Sequence, residues 1–406
     1  MDVYGDVYGR LSGRIIRNVI AVMLLAMPCA LATPAALSPD DPLTRAERLA
    51  FTAMAPPATA AMTIPPVPGK RAMTPRLSNV AEALGLPFSG RLEESYTAFM
   101  GGDTDRALVI LDAGIKDAWG DQMRFRLSMI RADMLSRTDR IADAEISILN
   151  TAALEEEFWG KSLVSRALRG DIRARLGDEA AAEGDLARVA LAQKSWYLPL
   201  DYDSIPDMTQ IFMNTEAKFR AALGFASLYT RSGRDADGLA WAVRLEQHLT
   251  NLFTLADDPE YGDLIPVIPE FYIARAENMA YLGAGILSVL DQPERAEPYF
   301  RAADGFFKTM GYTHGRAGTA ALKARALYNK GRFEAFEAAA GPAIALAAEA
   351  GMGELVWRLE ALRGERFFRD NKMDLAEAAL RRAQAAVTRV SGALSSDQSK
   401  LRFGLG

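Results

Sequence analysis

Residues that could carry out catalysis are scarce in this sequence. There is one cysteine, Cys29, and there are two histidines, His248 and His314. A nucleophilic triad needs a histidine beside a serine or cysteine, and a zinc site needs several Cys or His ligands. His248 lies among leucines at helical spacing, which predicts a surface or half-buried helix residue, and His314 is typical of a turn or helix cap. We therefore expect neither a triad nor a metal site.

Paired carboxylates are the remaining candidates for chemistry. Asp201 with Asp203, and Asp257 with Asp258, could hydrolyse glycosidic bonds or bind calcium. The spacing of acids that forms a calcium-binding loop is absent. Acid clusters at protein surfaces are usually solvated, so we expect a non-enzymatic protein that needs no cofactor.

The overall composition is that of a globular protein. The chain has 406 residues, of which 50% are hydrophobic and 24% are charged. Lys and Arg total 47 against 52 Asp and Glu, which gives a net charge of −5. Because nonspecific nucleic-acid binding needs a basic surface, we expect no nucleic-acid partner.

The N-terminus has the pattern of a secretory signal peptide. Three arginines precede an apolar run over 19–31, and small residues follow at the end of the run. The run is shorter than the roughly 20 residues that a membrane-spanning helix needs. We predict a signal peptide over 1–32, cleaved after Ala32, and a periplasmic or secreted mature chain without a transmembrane span. The alternatives are an uncleaved anchor and lipidation at Cys29.

The segment 33–87 is rich in proline, with ten prolines in 55 residues. Proline at this density favours extended, solvated chain over long helices. We interpret the segment as a linker or leader. It is either a tether or a docking segment for a partner, in which case 64–68 would be a polyproline ligand.

After this leader, apolar residues recur at helical spacing and short polar breaks containing glycine separate the helical segments. Runs of alternating β-branched residues are missing. The pattern predicts an all-α domain of antiparallel helix hairpins over 88–392, followed by a C-terminal tail over 393–406. Glu155, Glu156 and Glu157 are expected to favour the start of the next helix through its dipole.

A repeat runs through the helical domain. In each predicted hairpin a small residue on the first helix is followed twelve positions later by another on the second helix, which would let the two helices approach closely. Only Phe336 breaks this rule. The seven pairs are Ser95 with Ala107, Ala132 with Ala144, Gly170 with Ala182, Ala226 with Gly238, Ala284 with Ala296, Ala324 with Phe336, and Gly364 with Ala376.

These pairs resemble a divergent tetratricopeptide repeat, whose helices carry Gly or Ala followed by an aromatic residue. Ala226 with Tyr229, Gly364 with Phe367, and Ala296 with Phe300 match this pattern most closely. The second-helix positions are spaced by 37, 38, 56, 58, 40 and 40 residues instead of 34, so part of the array has longer repeats. The resemblance implies an α-solenoid of about seven hairpins.

The two wide spacings contain extra segments, 194–213 and 251–269, both rich in aromatic and acidic residues. Long irregular segments in a compact array are commonly functional or disordered. These two are expected to be either plugs between hairpins or lids over a binding surface.

The first helices of a solenoid line a concave groove, and each hairpin contacts only its neighbours. We predict that the groove binds a protein or peptide of the cell envelope; the alternatives are solvated helix faces without a partner, or a small-molecule or cell-wall-fragment site beneath the two extra segments. The oligomeric state is not predicted. The side chains expected to face the groove are Tyr96, Phe99, Arg126, Arg220, Asn278, Tyr281, Arg325, Tyr328, Arg358 and Phe368.

Overall fold

The computed structural model describes residues 90–118, 120–159, 163–192, 208–256 and 269–393. The predicted signal peptide, the proline-rich segment 33–87, the C-terminal residues from 394 onward and most of the segments 194–213 and 251–269 lie outside these ranges. Within the described ranges the regular structure is entirely helical. The prediction of an all-α domain is therefore confirmed for this part of the chain.

Fourteen helices follow one another along the described residues, numbered here in chain order. They are α1 (Gly90–Met100), α2 (Thr104–Lys116), α3 (Asp121–Ser136), α4 (Ile141–Trp159), α5 (Leu163–Leu176), α6 (Glu179–Ala192), α7 (Met208–Arg231), α8 (Asp235–Ala256), α9 (Pro269–Leu290), α10 (Pro293–Met310), α11 (Thr313–Asn329), α12 (Phe333–Glu349), α13 (Gly353–Arg369) and α14 (Met373–Ala393). The most extensive packing joins helices that are adjacent in the sequence or separated by one helix.

The short breaks predicted from glycine are turns between helices. Gly102, Gly177, Gly233 and Gly331 follow α1, α5, α7 and α11, with φ between 68° and 87°. Left-handed backbone of this kind is readily adopted only by glycine, which ends one helix and reverses the chain into the next. The extra segments are shorter than predicted, because 208–213 belongs to α7 and 251–256 to α8.

All fourteen residues of the small-residue pairs are buried, including Phe336. Gly170 shows how closely the helices approach: a methyl group added there would lie 2.6 Å from Leu186 Cγ and 3.3 Å from the Ala182 carbonyl oxygen. Leu186 also packs against the Gly224 position of the next hairpin, 2.7 Å from where a Cβ would be. The small residues thus join α5 to α6, and Leu186 joins that pair to α7.

One residue of the acidic run, Glu155, contacts the start of α5 directly. The buried Glu155 carboxylate accepts hydrogen bonds from the backbone N–H groups of Val164 and Ser165, both at 2.8 Å. These N–H groups belong to the first turn of α5, where no intrahelical acceptor is available. A side chain from the end of α4 therefore caps the next helix.

Within the described residues, no helix is both long enough and apolar enough to cross a lipid bilayer.

Candidate functional site

A cavity of about 120 Å³ lies between helices that are far apart in the chain. Its walls come from the carboxyl ends of α3, α5 and α7 and from residues of α9, α10, α11 and α13. On one side the cavity is bounded by Asp139, in the turn after α3, whose carboxylate accepts hydrogen bonds from Gly353 and Glu354 at the start of α13. This contact brings the second and seventh predicted hairpins together, which corrects the expectation that each hairpin contacts only its neighbours.

The space beside α11 exists because this helix carries Gly318 where it faces the cavity, whereas the position of Gly315 is filled by Phe307. Gly315, Gly318 and Ala321 line the cavity along one side of this helix, with Leu322 and Arg325 further along it. A Cβ placed on Gly318 would have no atom within 4 Å, so this glycine borders open space. Gly318 therefore leaves room where a larger residue would fill the cavity.

Three arginines meet at one end of the cavity: Arg231, Arg325 and Arg358. Glu354 lies between two of them, with Oε1 at 3.1 Å from Arg231 Nη1 and 2.9 Å from Arg358 Nε. Burial alone would raise the pKa of Glu354, but the two arginines hold that pKa below its usual value. This carboxylate is ionised and forms ion pairs with two guanidinium groups at once.

Arg325 differs from its two neighbours because no carboxylate of the described residues lies within ion-pair distance of it. Its guanidinium donates a hydrogen bond to the backbone carbonyl of Arg231, at 2.6 Å. Burial lowers the pKa of Arg325, and the charges of Arg231 and Arg358 lower it further. A half-buried cation beside two like charges is unfavourable, and an anion bound there would relieve the repulsion.

A second, more open depression of about 690 Å³ lies on the other side of Arg325. It is formed by the ends of α7, α11 and α13 and by the turns that follow the first two. Tyr328, Phe333 and Arg369 supply aromatic and cationic groups, and Asp235 supplies an acidic one. Arg325 and Arg231 line both spaces, so their positive charges lie next to the cavity and next to the depression.

Four of the ten residues predicted to face a groove are brought together at these two spaces. Tyr281, Arg325 and Arg358 line the cavity, and Tyr328 lines the depression. The ring of Tyr328 packs edge-on against Phe336, with centroids 5.1 Å apart. Tyr328 is therefore part of the core as well as of the wall.

Five others lie inside the protein and not on an accessible groove, which corrects that expectation. Phe99 is 1% exposed and stacks on His314, with centroids 5.2 Å apart. Asn278 is fully buried and donates to the Ala242 carbonyl at 2.9 Å. The sequence indicated which helix face these residues occupy, but not how completely other helices cover that face. The five buried residues are Tyr96, Phe99, Arg126, Arg220 and Asn278.

Arg126 and Arg220 belong to a buried network of charges instead of a ligand site. Arg126 forms ion pairs with Glu216 and, at 2.8 Å, with Glu270, and Arg220 pairs with Glu216 at 2.8 Å. Asp133 lies 3.6 Å from Arg220. The acids come from α3, α7 and α9, so this network ties three first helices together and leaves these two guanidinium groups engaged within the protein.

Phe368 lies apart from the cavity and is 62% exposed. Met373, Leu375 and Leu380 are about half exposed on α14. Four of the six exposed large apolar side chains of the described residues thus belong to the last two helices.

The histidines have structural surroundings. His248 is half-buried, as predicted. His314 lies in the first turn of α11, as the sequence indicated, but it is buried between Phe99 and Tyr312. Burial lowers its pKa to about 4, with a further contribution from Arg137, so the ring is neutral near pH 7.

The described ranges contain no cluster of three or more His, Cys, Asp or Glu side chains that could hold a metal ion. The candidate carboxylate pairs Asp201 with Asp203 and Asp257 with Asp258 lie outside those ranges. The two segments proposed as plugs or lids lie largely outside them as well.

Sequence reasoning missed Arg231, Glu354, Asp139 and Gly318. The first three lie at or near helix ends that are far apart in the chain, and no spacing rule links them. Gly318 did carry a signal, because a glycine inside a strongly helical pattern often has a packing or functional reason.

The sequence matches no protein-family model, and no curated protein matches it either.

Proposed function

We propose that this chain is a non-enzymatic, exported scaffold of tetratricopeptide-like hairpins that binds another protein or peptide of the cell envelope, in the periplasm or outside the cell. Six buried small-residue pairs, together with Ala324 and Phe336 in the same register, support a solenoid of antiparallel hairpins, because each pair occurs at a similar position of its helices. Signal-like residues at the N-terminus support export.

The observation that carries the proposal is the position of Arg325 between the cavity and the open depression. Its guanidinium has no carboxylate partner among the described residues, and Tyr328 and Arg369 lie beside it in the depression. Arginine and tyrosine are the residue types that most often dominate binding energy at protein interfaces. An acidic segment of a partner, with an aromatic or apolar residue next to the acid, fits this surface.

Photo-crosslinking from Asn329 tests the proposal. Asn329 is exposed and lines the depression, so a photoreactive amino acid at this position would contact a bound partner. We expect Arg325→Glu to reduce the crosslinked species by about tenfold or more, equivalent to ~1.4 kcal/mol of binding energy. Arg325→Lys, which keeps the charge, should retain more of it.

The matched control is Arg381→Glu, which reverses a charge on the exposed surface of α14 away from the depression. Circular dichroism should show unchanged helicity in all three variants. Tyr328→Ala is not a suitable test, because Tyr328 packs against Phe333 and Phe336. Equal crosslinking in wild type and Arg325→Glu would show that this surface does not bind the partner.

A further inference from the structure

The cavity is partly open to solvent and has properties that a protein-binding groove does not require. It is separated from the open depression by Arg231 and Arg325, and its volume of about 120 Å³ is too small for a folded segment. A closed cavity that holds benzene measures about 150 Å³, so a ligand of this size would fill the present space and extend through its open side. The space therefore suits a small molecule or a single side chain.

Cationic and apolar side chains lie close together in one part of the cavity wall. Arg325, Arg358 and Arg231 form the cationic group, where Glu354 is the carboxylate that pairs with two of the three. Leu322, Leu355 and Leu362 contribute apolar wall, and Gly318 leaves the space beside them open. A ligand that satisfies both kinds of side chain carries a negative group and a compact apolar group.

The remaining charges of the wall are already satisfied within the protein. Arg175 pairs with Asp171 at 2.9 Å, and Arg137 pairs with Asp133 at 3.0 Å and with Glu277. Asp139 accepts two backbone hydrogen bonds from the start of α13. Uncompensated positive charge is thus concentrated at Arg325 and its two arginine neighbours.

A buried polar atom lies at the other end of the cavity, beyond the reach of a small ligand bound at the arginines. His314 is 3% exposed and lines the cavity, and its Nδ1 has no hydrogen-bond partner among the described residues. Buried polar atoms in proteins are nearly always hydrogen-bonded, so an unsatisfied one calls for a partner. His314 and Arg325 are eleven residues apart on α11, about 16 Å along the helix at 1.5 Å per residue.

We propose that this cavity is a binding site for a small organic monocarboxylate whose apolar part is about the size of a benzene ring. The carboxylate pairs with Arg325 and Arg358, and the ring occupies the space beside Gly318 between the leucines of α11 and α13. This site shares Arg325 with the partner surface of the proposed function, but it lies in the cavity and not in the open depression, and it does not require a protein partner.

Binding of 4-fluorobenzoate to the full mature chain, followed by ¹⁹F NMR, tests the proposal. The neutral analogue 4-fluorobenzamide has the same shape without the charge. We expect saturable binding of the benzoate below about 5 mM and at least tenfold weaker binding of the amide. The benzoate should also raise the melting temperature in proportion to its occupancy.

Gly318→Leu tests the apolar part of the site, Arg325→Gln tests its cationic part, and Gly184→Leu is the control. Gly318→Leu fills the space without meeting any other atom at Cβ, and it should abolish benzoate binding while the helix remains folded. Gly184→Leu makes the same change on α6, where there is also open space, and should bind the benzoate like wild type. Arg325→Gln should weaken the binding of the benzoate at least tenfold and leave the binding of the amide unchanged.

The outcomes also distinguish this site from the partner surface. Arg369→Glu alters the open depression alone and should leave benzoate binding unchanged, whereas Gly318→Leu should leave crosslinking from Asn329 unchanged. Equal binding of benzoate and benzamide, retained binding in Gly318→Leu, or no saturable binding of the benzoate below about 5 mM would each overturn the proposal.

Discussion

The carboxylate of Asp139 accepts hydrogen bonds from the backbone N–H groups of Gly353 and Glu354, at 2.7 and 3.1 Å, across a sequence separation of more than 210 residues. The turn after α3 thereby caps the first turn of α13. Unpaired N–H groups at a helix N-terminus are stabilised by such an acceptor. The contact also forms one boundary of the cavity, so it links the second and seventh hairpins to the candidate site.

Replacement of Asp139 by alanine should therefore destabilise the protein and loosen α13. We expect a loss of about 1–2 kcal/mol in the free energy of unfolding, measured by urea denaturation. Amide hydrogen exchange should increase most in α13. Asp103→Ala is the matched control, because Asp103 caps α2 from the directly preceding residue. If Asp139→Ala left exchange in α13 unchanged, the long-range cap would not exist in solution.

The local features of the fold were predictable because their causes lie close together in the sequence. Gly102 and Gly177 mark turns, and Gly170 with Ala182 marks a close helix contact, all within one hairpin. The Asp139 cap was not predictable. It depends on how the nine helices between α3 and α13 place these two elements, and no local pattern encodes that arrangement.

The candidate site was predictable only in part, for the same reason. Arg325 and Arg358 were predicted to face a groove, and both line the cavity. Arg126 was assigned to the same face, but Glu216 and Glu270 from other helices surround it. Sequence periodicity gives the direction of a side chain, and the partner that meets it comes from elsewhere in the chain.

Because the helices are in close contact at Gly170, a single methyl group added there should destabilise the protein. Gly170→Ala should destabilise the protein by about 1–3 kcal/mol, because the added Cβ would approach Leu186 to 2.6 Å. Gly184→Ala on the partner helix meets no atom and should stabilise the protein by up to ~1 kcal/mol. Thermal or urea unfolding of both variants checks this. Stabilisation by Gly170→Ala would contradict the proposed role of small residues.

Leu186 and Leu380 occupy the same repeat position, four residues after the small residue of their second helices. Leu186 is fully buried between Gly170 and Gly224, whereas Leu380 is 49% exposed on the last described helix. We expect Leu186→Ala to cost about 2–4 kcal/mol of unfolding free energy and Leu380→Ala less than about 1 kcal/mol. Similar losses in both variants would mean that Leu380 is covered in solution.

Acid sensitivity should arise in part from His314. Burial depresses its pKa to about 4 in the folded protein, against about 6.5 in the unfolded chain, so the unfolded state binds the proton more strongly. Stability is therefore lost as the pH falls from about 6.5 towards 4, by up to ~3 kcal/mol. His314→Phe keeps a ring against Phe99 and removes the titration, so its unfolding free energy should fall less over this pH range. Parallel pH profiles for wild type and variant would show that His314 is accessible to solvent in the folded state.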